Sequence, residues 1–434
     1  MILRSFSLQK IPIANRFIRP FGLSLVVLAA TCLTVSAVHA QSESEPTLLS
    51  LEKAVRLTLD QHPQLGTFHH QREAYQGVVE QVSVGQRPSI GLTIEDFGGD
   101  GDYNGFDSAQ STLSISWVMQ GARIDQRIQA AQVSATQVET QRQIKALDLS
   151  AQTARLFIQA LVDEQRLTLA RQAQQQAQNT VAALKKRVEA GKSPVFEHLQ
   201  AEVEMAQREL EAEDLQHVLM STRYQLRAQW GGERNDFRIV GELLTLPTLG
   251  SVEQQFDQLK QNPTLALLAT QQRIAESEIE LARIEAKPQW QFSVGVRRFE
   301  ASDDFGMVAG VSVPFGKDRS STGKIRSLQA RQAEFASESE ALRRQLDTQL
   351  YVLLQEIKHS HHVIETLQQR VIPPLNTAHA QATHAYETGK LGYQQWINLL
   401  NQKLGAQQDL LSAFEAIHLQ HIELQRLTGT TLTF

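Results

Sequence analysis

The sequence predicts an α+β chain in which long helices alternate with short strands, and in which this arrangement occurs twice. Three observations predict it: an internal repeat at a spacing of 200 residues, four segments that alternate apolar and polar residues, and very long helical runs. Two copies of one helix–hairpin–helix unit indicate a structural unit that is repeated around an axis. They do not suggest an enzyme built around a single pocket.

The repeat is visible in two pairs of segments. Residues 59–65 (LDQHPQL) and 259–265 (LKQNPTL) share Leu, Gln, Pro and Leu in register, and the EAGK of residues 189–192 recurs as ETGK at 387–390. The predicted organisation is a first repeat over 41–250, ending in a Gly- and Pro-containing linker over 231–250, and a second repeat over 251–434.

The first 40 residues have the features of a secretory signal peptide. Four basic residues with no acidic residue among them precede an almost wholly apolar stretch over 21–38, and Val38-His39-Ala40 provides a small-x-small cleavage site. The only cysteine, Cys32, lies in this segment and follows a poor lipoprotein signal. We therefore expect an exported chain of about 394 residues without disulfides. Its net charge would be −9 instead of −5, because four of the 42 basic residues are removed.

Several functional classes find no support in the residues. There is no basic patch for nucleic acid, no Gly-rich phosphate loop and no nucleophile motif, so we predict no nucleic-acid partner, no cofactor and no enzymatic activity. After the signal peptide no apolar run approaches the 18 or so residues of a membrane helix. A chain that crosses a membrane after export would have to do so with strands.

Two predicted hairpins, at 89–119 and 289–315, each contain two strands with one apolar and one polar face. Each strand has roughly 8 to 11 residues, the length that a tilted strand needs to span a bilayer. The alternatives are soluble hairpins packed on helices, or a barrel shared among identical chains. Trp117, Trp290 and Phe315 lie at strand ends, as aromatic residues do at membrane interfaces, and favour the barrel.

The helical runs predict coiled coils. Residues 122–190 contain almost no helix-breaking residue and would form a helix of about 100 Å. In the second copy Leu350, Ile357 and Ile364 repeat every seven residues, as coiled-coil seams do. Pro373-Pro374 predicts a kink.

Two tight turns connect these long helices to shorter returning ones. Gly191 and Gly389 fit left-handed helix C-caps, and Ser193 fits the N-cap of the next helix. Both turns should lie at the end of the helices far from the strands.

Taken in order, these pieces resemble the TolC family of outer-membrane efflux channels. The resemblance rests on Leu51-Glu52-Lys53-Ala54-Val55, on the His62-Pro63 and Asn262-Pro263 pair, on the four strands and on the two glycine turns. It implies a homotrimer whose twelve strands close one barrel in outer-membrane lipid. The barrel would continue into a twelve-helix periplasmic coiled-coil tunnel that holds most of the mass. Such channels conduct passively and work with a periplasmic adaptor (membrane fusion protein) and an inner-membrane RND-type pump.

The cargo is less closely determined by the sequence. Residues 94–99 (IEDFGG) are similar to the heavy-metal (cobalt-zinc-cadmium) resistance branch, which implies metal cations. Drug or solvent efflux and type I secretion remain open within the family. Outside it, a periplasmic coiled-coil scaffold or a metal-buffering periplasmic protein remain alternatives.

The resemblance also implies where a gate and a docking site would be. Channels of the family narrow just after the helix turns, which indicates Glu197 in the first copy and Gln395, Trp396 and Asn398 in the second. Glu197 as the only carboxylate ring is one hypothesis, and a solvated first-turn carboxylate on the helix dipole is the other. The turn residues expected to contact the adaptor are Gly191, Lys192, Gly389 and Lys390.

Clustered histidines suggest metal binding, but the pattern favours solvated helix faces. In the heptad that puts Ile357 in the seam, His359 and His362 point away from it, and His418 and His421 are interpreted in the same way. The aspartates of the two hairpin loops lack the order of a calcium loop. We predict no metal site.

Overall fold

The computed structural model describes residues 47–232, 237–316 and 319–430, so the predicted signal peptide lies outside the described residues. The elements are, in order, β1 (Thr47–Leu49), α1 (Leu51–Gln61), α2 (Pro63–Ser83), β2 (Ser89–Glu95), β3 (Gln110–Val118), α3 (Gly121–Glu189), α4 (Val195–Ala228), β4 (Phe237–Ile239), α5 (Val252–Leu259), α6 (Pro263–Glu285), β5 (Gln291–Phe299), β6 (Asp304–Ser312), α7 (Arg319–Thr366), α8 (Ile372–Glu387) and α9 (Tyr393–Thr428).

The two hairpins form one antiparallel sheet in the order β2-β3-β5-β6. In the middle of the sheet Ile115 lies opposite Ile90 on one side and Val294 on the other. The two hairpins are therefore joined through β3 and β5, and β2 and β6 are the edges of the sheet. The strand positions agree with the alternation in the sequence.

Helix α3 has 69 residues, the length that its composition predicts. Its middle part is buried on several sides, because small residues such as Ala151, Ala154 and Ala160 let neighbouring helices approach closely. Towards its C-terminus fewer residues are buried, and Ala173 and Leu184 pack there in a cluster with residues of α4, α8 and α9. Among the described residues, no helix combines the length and the apolar character needed to cross a membrane.

The second long helical run is interrupted at the place where the proline pair predicts a kink. Five residues, Leu367–Val371, form a π-helical turn, and Pro373 and Pro374 occupy the first turn of α8. A proline has no N–H to donate to the carbonyl four residues earlier, so the hydrogen-bond ladder changes here. On α7 the seam residues Leu350, Ile357 and Ile364 are buried, which confirms the predicted spacing.

The main hydrophobic core lies where α1, α3, α7 and α9 meet, and it includes Phe157, Leu350, Phe414 and Ile417. The segment predicted as a linker takes part in this core. It contains β4, which pairs in parallel with β1 and buries Phe237 and Ile239. A strand of three residues is too short to produce a detectable period, which is why the sequence indicated only a connection.

The two sequence positions that align in the repeat have the same local role. His62 and Asn262 precede α2 and α6, and each side chain accepts a hydrogen bond from the backbone N–H two residues later. Proline follows in both cases, at the first helical position, where its missing N–H costs nothing. In Asn262 the amide also donates to the carbonyl oxygen of Leu427 at 2.8 Å.

Candidate functional site

The sheet has two very different faces. One face carries large apolar side chains, among them Ile90, Leu92, Leu113 and Met307. These side chains are not covered by the rest of the chain, and Met307 is 83% exposed. An uncovered apolar area of this extent marks a surface that meets another apolar phase or partner.

The opposite face is lined by small and polar residues. Ser116 pairs with Ser89, and their hydroxyl groups are 2.8 Å apart. One row further, Gly295 lies so close to Ser114 and to the carbonyl oxygen of Leu113 that an added Cβ would be 2.7 Å from that oxygen. Most side chains on this side of the sheet are therefore small or polar.

The two turns that follow α3 and α8, at residues 189–192 and 387–390, are called the tip turns below. They have the same hydrogen-bond pattern. Gly191 and Gly389 adopt φ values of +67° and +77°, which favour glycine. The N–H of Lys192 donates to the carbonyl of Arg187, and that of Lys390 donates to the carbonyl of Ala385. This is the Schellman ending, in which a left-handed glycine lets the chain bond back to the last helical carbonyls.

One detail of the first turn differs from the sequence prediction. Helix α4 begins at Val195, so Pro194 and not Ser193 occupies the N-cap position. The hydroxyl of Ser193 instead accepts a hydrogen bond from Nε of Arg187 at 3.1 Å. Arg187, six residues earlier at the end of α3, has taken the hydroxyl that the sequence pattern assigned to the cap.

Trp396 lies inside an aromatic cluster of the α8–α9 hairpin. Its ring stacks on Tyr386 with centroids 5.2 Å apart, and its Nε1 donates to the hydroxyl of Thr383 at 3.0 Å. Because Trp396 is only 5% exposed within one chain, it supports the tip from inside. It can act on a constriction only through the position of the hairpin, not by lining it.

Glu197 lies in the first turn of α4, half-buried, and close enough to this cluster to act on it electrostatically. Burial first, and then nearby charges that include Glu197, raise the pKa of Tyr393 to about 12. The pKa of Tyr386 is also raised, by burial first, while Arg187 opposes the shift and Glu197 adds to it. The carboxylate and the two phenols thus belong to one electrostatic group.

The other two predicted gate residues are exposed on α9. Gln395 points to solvent, and Asn398 accepts a hydrogen bond from Nε2 of Gln394 at 3.1 Å. Asn398 also lines an open groove of about 460 Å³ between α4 and α9. Glu197 and Gln395 do not line this groove, so the structure does not bring all the predicted residues together in one chain.

Sequence reasoning missed the most heavily bonded residue of this region. Arg208 on α4 pairs with Glu204 and Glu211, each at 2.8 Å, and its Nη2 donates to Asn401 on α9 at 2.9 Å. Although burial acts to lower it, the pKa of Arg208 is raised by these two carboxylates. The only local signal was the spacing of Glu204, Arg208 and Glu211, at i, i+4 and i+7.

The histidines fall into two groups. His359 and His362 are exposed on the side of α7 away from the buried seam, as the heptad predicts. For His418 and His421 the prediction of a solvated face is wrong, because both are buried, at 4% and 8% exposure. Nε2 of His418 lies 2.8 Å from the carbonyl oxygen of Leu243. Leu243 belongs to the connecting segment, residues 231–250, which the sequence predicts as a linker.

No group of three or more His, Cys, Asp or Glu is placed to hold a metal ion in the parts of the chain that the structure describes. Burial lowers the pKa of both His418 and His421, so each ring favours the neutral form. For His418 the carbonyl groups of the connecting segment act in the opposite direction.

Comparison with known proteins agrees with this architecture. Residues 54–232 match the family model described as Outer membrane efflux protein. Over 389 residues the chain is 25% identical to the cobalt-zinc-cadmium resistance protein CzcC of Cupriavidus metallidurans, which covers 87% of this chain and 91% of that protein.

Solved structures of channels share the fold across most of the chain. CusC superposes with a TM-score of 0.71 at 15% identity, covering 88% of this chain and 92% of CusC. VceC of Vibrio cholerae gives 0.69 at 16% identity, with 88% and 96% covered, and the open state of MtrE of Neisseria gonorrhoeae gives 0.66 at 14%, with 88% and 89% covered. Residues 54–232 therefore form an outer membrane efflux protein family domain, the chain has the fold of such channels over most of its length, and its place is the outer membrane.

Proposed function

We propose that three copies of this outer-membrane efflux protein close one twelve-stranded β-barrel that continues into a twelve-helix periplasmic tunnel. The observation that carries the proposal is the sheet β2-β3-β5-β6. Its apolar face is uncovered, and β2 and β6 are open edges within one chain. Unpaired strand edges are not tolerated in lipid, so copies of the chain have to pair edge to edge.

The width of the interior argues against closure by only two copies. Two copies would give eight strands, an interior that side chains nearly fill, whereas more strands leave an aqueous lumen. Three copies give twelve strands, and the small side chains of the polar face would line the lumen. The apolar face would then meet lipid.

Disulfide cross-linking between the edges tests this closure. The chain from residue 41 onwards contains no cysteine, so introduced pairs are the only ones. Ser89→Cys on β2 would be combined in turn with Val308→Cys, Gly310→Cys or Ser312→Cys on β6. We expect one pair to give a covalent ladder that ends at the trimer.

A matched control uses a pair within one chain. Ser116 and Ser293 are direct partners across β3 and β5, so the Ser116→Cys/Ser293→Cys variant should cross-link and still migrate as a monomer. A β2–β6 ladder that ends at the dimer or continues past the trimer would overturn the proposed stoichiometry.

The helix tips are the proposed contact with the periplasmic adaptor and, through it, with an inner-membrane RND-type pump. Lys192 and Lys390 are exposed and directly follow the glycines of the two turns, so both present a positive charge at the ends of the helices. We expect Lys192→Glu and Lys390→Glu to reduce co-purification with the adaptor. Glu253→Lys, on the exposed surface of α5, is the control.

Heavy-metal cations are the proposed cargo. The support is the alignment with CzcC over 87% of the chain and the similarity of residues 94–99 to that branch. Organic drugs or solvents, or a secreted protein, are the alternative cargo for the same fold.

Deletion of the gene, with and without complementation, separates these cargoes. Growth would be measured against zinc, cobalt, cadmium and copper, and against a panel of drugs and solvents. We expect lower tolerance to the metals alone. Lower tolerance to the organic compounds alone would replace the metal assignment and leave the channel assignment intact.

A further inference from the structure

Arg297 on β5 holds together three strands on the polar face of the sheet. Its Nε donates to the hydroxyl of Thr112 at 2.9 Å, its Nη1 to Oε1 of Gln110 at 2.9 Å and its Nη2 to Oε2 of Glu95 at 3.0 Å. All three guanidinium nitrogens are engaged, so the positive charge is held at a fixed position.

This cluster contains two of the three charged side chains on this face of the described strands. Among the described strand residues that share the face, the charged ones are Glu95, Arg297 and Asp304, and all three lie at the hairpin-loop end of the sheet. The rest of the face consists mainly of Ser, Gly and Thr, with Gln and Val at two positions each and Phe at one. In the proposed barrel the charged residues would form a band at the outer mouth of the lumen.

The neighbouring residue shows that the side of the sheet matters. Arg298 points to the opposite, apolar face and pairs with Asp303 at 3.0 Å and with Glu300 at 3.3 Å. Arg297 and Arg298 therefore carry the same charge one residue apart, one towards the proposed lumen and one towards the outside.

The band remains accessible to water. The side chain of Arg297 is 29% exposed and that of Glu95 is 50% exposed. Because neither is enclosed, a hydrated ion in the lumen would experience their field through water, weakened by distance and by salt. The opposite charges of such a pair partly cancel, so the net field in the lumen depends on both residues.

We propose that the Arg297–Glu95 pair sets the charge selectivity of the outer mouth of the channel. The inference rests on the proposed trimeric barrel. The positive charge of Arg297 offsets much of the negative charge of the Glu95 carboxylate. It therefore limits the preference for cations at the mouth. Removing the charge of Arg297 therefore increases the preference for cations, and removing the charge of Glu95 decreases it.

Reversal potentials in planar bilayers under a KCl gradient test the proposal. Arg297→Gln is expected to raise the ratio of potassium to chloride permeability, and Glu95→Gln to lower it. The expected change is roughly two- to tenfold at low salt, the effect of one to three unit charges acting over about 10 Å of water. It should shrink as the salt concentration rises.

Arg298→Gln is the matched control, because it removes the same charge from the adjacent position on the other face. It should leave the permeability ratio unchanged. Arg297→Lys keeps the positive charge and loses the three hydrogen bonds of the guanidinium group. It therefore tests the charge separately from the strand contacts, and it should retain wild-type selectivity.

Three results decide between the possible roles. If Arg297→Gln and Glu95→Gln conduct with the wild-type ratio, Arg297 only fastens the strands and the proposal is overturned. The same holds if Arg298→Gln shifts the ratio equally. If Arg297→Gln does not assemble, Glu95→Gln decides alone. A wild-type protein that does not conduct would instead contradict the proposed barrel.

Discussion

Nη1 of Arg187 donates a hydrogen bond to the carbonyl oxygen of Tyr386 at 3.2 Å, across 199 positions of the sequence. The guanidinium carbon also lies 4.8 Å from the centre of the Tyr386 ring. Arg187 belongs to the last turn of α3 and Tyr386 to the last turn of α8, so this contact joins the two helix tips. The tip is therefore one connected unit within a single chain.

Arg187→Met should loosen that unit. It removes a charged hydrogen bond and a cation–π contact, together about 1–2 kcal/mol, which corresponds to a roughly 5- to 30-fold larger open population. Tryptic cleavage after Lys390 would report this opening. Lys186→Met is the control on the exposed side of the same turn, and equal cleavage rates in both variants would contradict the role of Arg187.

Glu197→Gln tests the acidic gate. If three Glu197 carboxylates line the constriction, the variant should show weaker block by multivalent cations in planar bilayers, because the negative potential there is reduced. Gln395→Glu, which adds a carboxylate on α9, should strengthen block. Glu202→Gln, on an exposed position of α4, is the control. Unchanged block and conductance in Glu197→Gln would remove this residue from the gate.

The two equivalent caps should differ in their contribution to stability. Asn262→Ala removes the cap of α6 and a buried hydrogen bond to Leu427, for about 2–3 kcal/mol in total. His62→Ala removes a cap alone, and should cost about 1 kcal/mol or less. Urea unfolding in detergent measures both. A larger loss for His62→Ala would contradict the role of the second hydrogen bond.

Gly295→Ala should impair formation of the sheet. The new Cβ would lie 2.7 Å from the backbone carbonyl oxygen of Leu113, so β3 and β5 would have to separate locally. Gly91→Ala adds the same methyl group one hairpin away, where the nearest atom, the Ser114 hydroxyl, is at an ordinary 3.5 Å. Heat-modifiable migration in gels would show a smaller folded fraction for Gly295→Ala alone. Equal behaviour of the two variants would refute the steric argument.

Acid should weaken the central core through His418. Burial lowers its pKa below the ordinary 6.5, so the unfolded chain takes up a proton before the folded one does. The unfolding free energy is therefore fully retained above pH 6.5 and falls as the pH decreases through the lowered folded pKa. His418→Gln keeps a donor towards Leu243 and removes the titration, so its denaturation midpoint should depend less on pH between 6.5 and 5. A slope equal to that of the wild type would contradict the assignment.

Much of the fold was determined by local pattern. The period of two in β2 and β5, the absence of helix breakers in α3 and the glycines at 191 and 389 predicted these elements closely. Each depends on neighbouring residues, whose steric preferences act wherever the segment lies. The family, the alternation of the strands and the place of the tips could thus be read from the sequence by itself.

Only the tertiary structure decided which distant residues meet. It buried His418 and His421, brought the carbonyl oxygen of Leu243 to His418, and placed β4 in the core. It also joined Arg297 to Glu95, 202 residues earlier. Such contacts depend on how the elements pack, and burial or a hydrogen bond across the fold outweighs the local tendency of a single side chain. The sequence therefore determined the repeated arrangement of helices and strands. The packing decided which residues lie in the core, at the helix tips and on the polar face of the sheet.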